Sequence, residues 1–285
     1  MNSVKCVEAD CPGQVAENEE RCPVCGADNG PLNLRFCHDA REEAALSQRY
    51  NDAWADARAR SCTDVLQRFE DALRHSVAVI NETLGVLELL MTADRTLYSN
   101  YNLQVGAEQR RPALPDDDRR RRGVEAILFG RYGDHLRYAT LSLDGRGAES
   151  YGPFSIQLKD LAIRKRASVL EDNSYQFVEK HSLKAGDPIP AGYRAVWGER
   201  HMLAVAKLSH RLESHTRDAE FPQLLLRSTR RRADDEFIEV HVYGAFNSQA
   251  VEGVVATSRL AHGQRARVKV VRHLVERAGG KWIDA

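Results

Sequence analysis

Four of the chain's six cysteines fall within its first 25 residues, at Cys6, Cys11, Cys22 and Cys25, in the pattern C-x4-C-x10-C-x2-C. A segment this short, rich in Gly and Pro, buries too little apolar surface to hold its own fold. Two thiolate pairs closing on one metal ion would supply the missing free energy. The Cys22-Pro23-Val24-Cys25-Gly26 stretch has the form of a zinc knuckle: a tight turn aims two sulfurs at one ion, and the glycine lets backbone amides approach them. The first pair is spaced one or two residues wider than usual, and Cys37-His38 offers substitute ligands. Disulfides or unlinked thiols are the alternative in a reducing compartment. Residues 1–38 are therefore expected to form a zinc-ribbon-like module with a structural Zn2+ on Cys6, Cys11, Cys22 and Cys25.

With 285 residues, the chain is long enough for one large domain or two modest ones. Lys+Arg and Asp+Glu are both 41, so global charge steers nothing. No apolar run approaches the roughly 18 residues of a membrane span, so no membrane partner is expected. Met1 to Cys6 lacks the apolar segment of a secretory signal, which predicts a cytoplasmic location.

Beyond the cysteines the texture changes. Asp39 to about Arg60 reads as a helix with sparse apolar anchors (Leu46, Tyr50, Trp54). From Thr63, a plausible cap, Leu66, Phe69, Leu73, Val77, Ile80, Leu84 and Leu87 follow helical spacing, which predicts a second long helix. Together they predict a helical hairpin over residues 39–94. Its stripe serves either a homodimer or, more commonly, packing onto the following domain. Arg110 to Arg122 reads as a charged, exposed loop. Strands are predicted at Leu136–Leu143, Tyr151–Lys159, Arg166–Leu170 and Lys281–Ile283, and helices at about 199–213 and 264–278.

The most telling strand is Phe237-Ile238-Glu239-Val240-His241-Val242-Tyr243-Gly244. Period-two alternation sends Ile238, Val240 and Val242 to a core face, and Phe237, Glu239, His241 and Tyr243 to the other. His241 lies about 7 Å from Glu239 along such a strand. That spacing suits a shared cleft but predicts no direct hydrogen bond.

In order, the strand His135–Leu143 with its Arg137-Tyr138 pair, Tyr151-Gly152 opening the next, Arg166-Ala167-Ser168 closing at Asp172-Asn173-Ser174, and Ile238-Glu239-Val240-His241-Val242-Tyr243-Gly244 resemble a known pattern. It is that of a little-characterised bacterial family related to ADP-ribosyltransferases. There an arginine-tyrosine strand precedes a YG strand, then an R-A/T-T strand ending in DS, and the domain closes on I-E-A-Q-[IV]-H/W-G. The resemblance spans residues 95–285. It implies an α+β fold: a small, mostly antiparallel two-sheet domain, here preceded by the helical hairpin and the zinc knuckle. It also implies an NAD-dependent ADP-ribosyltransferase, with NAD as substrate in a cleft between the sheets. Glu239 would be the catalytic carboxylate, steadying the oxocarbenium-like cation that develops as the nicotinamide–ribose bond breaks. Arg137 would anchor the ribose or phosphates, with Arg95 as the alternative. Tyr138, Thr140, Ser142 and Tyr151 would complete the NAD site. Apart from what the resemblance implies, His241 or Asp235 offers an acceptor-side group, His241 as a base.

The acceptor is not given by the resemblance. Relatives that modify arginine, asparagine or cysteine carry Glu or Gln two residues before the catalytic glutamate, and here that residue is Phe237. Protein and nucleic acid both stand as acceptors. Enzymes of this kind are often toxins or phage-defence effectors, which adds an antitoxin or chaperone to the candidate partners. Basic clusters at Arg110–Arg111, Arg119–Arg122 and Arg230–Arg232 suit phosphate backbones, although adjacent aspartates partly neutralise the last two. Phosphate-binding, dinucleotide-binding, nucleophile-elbow and H-E-x-x-H motifs are absent. The competing reading is a non-catalytic zinc-ribbon adaptor that binds nucleic acid or protein.

Overall fold

A computed structural model of the chain describes residues 3–16, 19, 21–93, 95–99, 115–228, 232–256 and 262–284. The N-terminal module opens with the hairpin β1 (Ser3–Lys5) and β2 (Gln14–Ala16). The main sheet takes β3 (Val77–Glu82), β4 (Leu136–Ser142), β5 (Phe154–Leu158), β6 (Ala167–Leu170) and β7 (Arg194–Val196). A short ribbon of β8 (Leu226–Arg227) and β9 (Glu236–Phe237) follows. The main sheet is then completed by β10 (Glu239–Tyr243), β11 (Val251–Ala256) and β12 (Lys281–Asp284). Its eight strands run β12-β11-β5-β3-β4-β10-β6-β7, and every pairing is antiparallel except that of β11 with β12.

The α+β class and the mostly antiparallel sheet agree with the sequence. The expected pair of small sheets is instead one continuous eight-stranded sheet with two-stranded ribbons beside it. β3 lies in the middle of that sheet and comes from the segment expected to be a separate helical hairpin. The domain boundary expected at residues 94 and 95 therefore falls inside the sheet domain.

Ten helices are described: α1 (Leu32–Cys37), α2 (Ala40–Ala59), α3 (Thr63–Arg74), α4 (Leu84–Thr92), α5 (Pro115–Phe129), α6 (Asp160–Ile163), α7 (Ser174–Lys180), α8 (Arg200–Leu208), α9 (Phe221–Leu225) and α10 (Arg265–Arg277). The long stripe that begins at Leu66 is split among α3, β3 and α4. Two local features end α3 at Arg74. The Ser76 hydroxyl turns back to the Leu73 carbonyl at 2.6 Å, and Val77-Ala78-Val79-Ile80 is a β-favouring run. The stripe fitted one helix because all its members but Val77 are buried in one core, reached from three elements. It is consumed inside the chain, so it offers no surface for a homodimer.

That core covers one face of the sheet. Ala78 and Ile80, Ala139 and Leu141, Phe154 and Ile156, and Val240 and Val242 meet the apolar sides of α2, α3, α4, α8 and α10. Arg110 to Arg122 is not a loop throughout: from Pro115 it is helical. Val124 and Leu128 of α5 are buried, and Arg121 pairs with Glu125 one turn on at 3.0 Å. Residues 110–114 lie outside the described residues. Among the described residues, no helix is long and apolar enough to cross a membrane.

One buried ion pair ties α2 to the edge of the sheet. Glu42 accepts from Arg194 Nε at 2.6 Å and from the Gly192 amide at 2.7 Å, with both side chains more than nine-tenths buried. Burial pushes the Glu42 carboxyl above its ordinary value, and the Arg194 charge only partly offsets this. Removing one partner strands the other charge in the interior. Glu42→Ala should therefore lower unfolding stability by about 3 kcal/mol in a urea titration. Asp56→Ala, which breaks the more exposed pair with Arg60, should cost less than about 1 kcal/mol.

Candidate functional site

The Sγ atoms of Cys6, Cys11, Cys22 and Cys25 all lie within 4.8 Å of one another. Cys6 and Cys25 are 3.5 Å apart, and Cys11 and Cys22 are 3.6 Å apart. Tetrahedral sulfurs on an ion with bonds of about 2.3 Å stand roughly 3.8 Å apart, so the cluster is sized for such a metal. Backbone amides two residues on support three of the sulfurs: Glu8 to Cys6, Gly13 to Cys11 and Val24 to Cys22, each at 3.4 Å. The wide C-x4-C half thus builds the same type of turn as the C-x2-C half. Cys37 is buried elsewhere and takes no part.

This module is docked on the second face of the main sheet. Leu32 and Phe36 of α1 pack with Leu170, Phe177 and Ile189, in a cluster that also holds Cys6, Val15 and Cys22. Beside them Asn33 points its amide at the strands. Its Nδ2 donates to Ser168 Oγ at 3.0 Å, to the His241 carbonyl at 3.1 Å and to the Arg166 carbonyl at 3.3 Å. The cysteine module is thereby fixed to β6 and β10 directly behind His241.

Register defines that second face. Glu239 is paired with Thr140 and Leu170, and His241 with Tyr138 and Ser168. The alternation read from the sequence holds, but both faces are buried: Ile238, Val240 and Val242 are fully covered, and Glu239 is only 9% exposed. Glu239 Oε2 accepts from the Ser174 amide at 2.9 Å and from the Ser174 hydroxyl. Ser174 is the first residue of α7, so its amide is one of the donors a helix start leaves unpaired. His241 Nε2 completes the set at 3.2 Å from the same oxygen. The expectation that Glu239 and His241 stand too far apart to bond is corrected. Their backbones are two residues apart, but the side chains converge.

Around this carboxylate lie residues of four other segments. The Tyr138 ring stands edge-on to His241 at 5.4 Å, and its hydroxyl is buried without a hydrogen-bond partner. Burial pushes the Tyr138 phenol well above its ordinary value, and the Glu125 and Glu239 carboxylates push the same way. Tyr151 is pushed up to about 12, first by burial and also by Glu239, against the pull of Arg121 and Arg232. Arg121 lies over the Tyr138 ring at 5.4 Å, and Arg232 lies over the Tyr151 ring at 5.0 Å.

The other expected residues are placed differently. Thr140 and Ser142 share the Glu239 face, but their hydroxyls serve the scaffold: Thr140 donates to the Val79 carbonyl at 3.2 Å, and Ser142 to Asp144 at 3.1 Å. Arg137 is on the opposite face, across from Val242. It donates there to the carbonyls of Tyr98, Asp134 and Leu136 at 2.9–3.3 Å. Period two forces this, because Arg137 and Tyr138 cannot share a side of β4. Arg95 sits in an exposed turn. Arg230 and Arg231 lie outside the described residues.

Three residues have structural roles that the sequence did not assign. Asn173 caps α7 by accepting from the Gln176 amide, and its Nδ2 donates to the Asp235 carbonyl at 2.7 Å. Asp235, fully buried, accepts from Ser150 and Ser228 and so joins the Tyr151 loop to the segment before Glu239. Burial acts to raise the Asp172 carboxyl, but Lys207 at 2.6 Å and Lys180 at 3.0 Å outweigh it and hold the value below normal. An asparagine just before a helical stretch was the available signal, as a cap. Asp235, a candidate for the acceptor side from the sequence, is instead buried and accepts from two serines.

Gly13 gives the cysteine cluster a test that spares every ligand. A Cβ there would lie 2.4 Å from Cys22 Sγ and 3.2 Å from Cys11 Sγ. Gly13→Ala should therefore lower bound metal well below one equivalent per chain in elemental analysis of the purified protein. Gly85→Ala, on α4 away from the cysteines and with nothing within 4 Å of its Cβ, should leave the metal content unchanged.

No protein family matches the sequence, and no curated protein does either; the two sites themselves carry the functional reading.

Proposed function

We propose that the chain is an NAD-dependent ADP-ribosyltransferase whose catalytic carboxylate is Glu239, with a structural zinc ion in the four-cysteine module. The observation that carries this is the arrangement of Glu239. Three donors converge on Oε2, and none of them goes to Oε1. Such a carboxylate is held in one orientation before substrate arrives, which is what electrostatic stabilisation of a developing cation requires. The two tyrosines beside it offer flat apolar surfaces for a nicotinamide or a ribose.

In this reading Glu239 does two things. It accepts a hydrogen bond from a ribose hydroxyl, and its charge opposes the positive charge that grows at the anomeric carbon as nicotinamide leaves. His241 and Ser174 keep the oxygen in place and need not touch substrate. His241 is therefore a positioning residue for Glu239 here, in place of an acceptor-side base. Arg121 and Arg232 are the cations that lie over the two tyrosines, whereas Arg137 faces the other way. Phe237, two residues before Glu239, packs near Tyr151 at a ring separation of 6.3 Å. It supplies no acid or amide for an acceptor.

The zinc assignment rests on the donor set. Four thiolates in one tetrahedral cluster leave no open position for a reacting group, so the metal's role is to hold the fold.

Incubating the protein with labelled NAD, alone and with lysate, RNA or DNA, tests the enzyme. The wild type should release nicotinamide or transfer label, and Glu239→Gln should lower that rate by about 10²- to 10³-fold. Equal silence of wild type and variant with every acceptor would reject the enzyme and leave the adaptor.

A further inference from the structure

The C-terminal helix carries a charge pattern that the fold does not explain. α10, Arg265–Arg277, holds five arginine or lysine residues and a histidine against one glutamate, in a chain with a formal net charge of +0. Its apolar side is already committed: Val271 and Val275 are fully buried in the main core. On the opposite side Arg265, Lys269, His273 and Arg277 recur every four residues and are all exposed. They form one stripe about 18 Å long at 1.5 Å per residue.

Two electrostatic features of this stripe are unfavourable for an isolated helix. Arg265 and Lys269 are like charges four residues apart and repel each other. The first turn holds Arg265 and Arg267 and no acidic residue, which is the wrong sign for the positive end of a helix dipole. Neighbouring cations are differently placed. Arg267 pairs with Glu88, and Arg272 pairs with Glu276 and Asp284. Among the described residues, the four stripe residues make no ion pair.

We infer that this face of α10 is a docking surface for the phosphate backbone of a nucleic acid. A row of phosphates would relieve both features together, offsetting the repulsion along the stripe and placing negative charge at the helix start. A membrane fits less well. Val270 is the one large apolar side chain strongly exposed on α10, so no apolar face is left to enter a bilayer. The inference stands apart from the proposed enzyme activity, because α10 packs on the face of the sheet opposite Glu239.

The experiment uses the full chain and a fluorescent 20-base-pair DNA duplex of random sequence, followed by anisotropy from about 50 to 200 mM salt at pH 7.5. The three arginine and lysine residues of the stripe should contribute about −3 to the slope of log K against log salt. The variant Arg265→Gln/Lys269→Gln/His273→Gln/Arg277→Gln should bind at least tenfold more weakly at the low-salt end, with a slope shallower by about 3. All four side chains are exposed, and an unchanged thermal melt would show that the variant is folded. The inference is overturned if the wild type does not bind the duplex, if the variant keeps the wild-type slope, or if vesicles rich in phosphatidylserine bind the wild type while the duplex does not.

Discussion

The hydrogen bonds from Ser174 and His241 to Glu239 belong to a wider constraint: the second face of the main sheet is polar and yet buried. Asn81, Thr140, Ser142, Ser155, Ser168, Glu239 and His241 all have less than a tenth of their surface exposed. Polar groups removed from water need partners, and an unpaired one costs about 1–3 kcal/mol. The covering segments are chosen by that need. Asn81 donates to the Gly152 carbonyl and to Ser155 Oγ, Ser155 accepts from the Gly147 amide, and Gln157 donates to the Gly145 carbonyl. The loop between β4 and β5 is thereby pinned across the sheet, and its end carries Tyr151 to the neighbourhood of Glu239. Close approach is part of this fit. A Cβ on Gly147 would lie 1.8 Å from Asn81 Oδ1.

The same need explains why Glu239 can be both buried and oriented. A lone carboxylate in an apolar interior would be expelled or protonated. Here the start of α7 meets it, and α7 is held in turn by its cap and by the Asp172 network. Lys207, itself buried, donates to the Glu171 carbonyl at 2.7 Å and reaches Asp172. The short stretch Glu171 to Ser174 is therefore fixed from both ends, and with it the donor pair on Glu239. The proposed role of Glu239 would draw on that rigidity, because donors already in place need no reorganisation as charge develops.

Much of this was readable in the sequence where side chains follow a local period. The strands at β4, β6, β10 and β12, and the four clustered cysteines, appear near where alternation and spacing put them. Period failed where one core is fed by several elements. Leu66 to Leu87 kept helical spacing across a strand, and only the β-branched run at Val77–Ile80 betrayed the break. It failed again for Arg137, where a motif joined two adjacent residues that the pleat must separate. His241 shows a third kind of loss. Backbone rise along a strand says little about how near two long side chains on one face come. Asp235 and Arg232 come to the site through tertiary contacts with the β4–β5 loop, and no local pattern encodes those.

The cysteine module completes the cover of the polar face. A cap built from apolar side chains would leave Ser168 and the nearby strand carbonyls without partners. A cap that offers an amide such as Asn33 meets them, but polar contacts give a short segment little free energy of its own. Metal binding is folding free energy for such segments, so a metal on the four cysteines would let the N-terminal module hold a shape with few buried apolar side chains. The module is then free to present Asn33 to β6 and β10. Its Nδ2 reaches the His241 carbonyl, and the His241 imidazole reaches Glu239. Only two side chains thus separate the cysteine cluster's docking helix from the carboxylate, and the position of Glu239 depends on the N-terminal module as well as on the sheet that bears it.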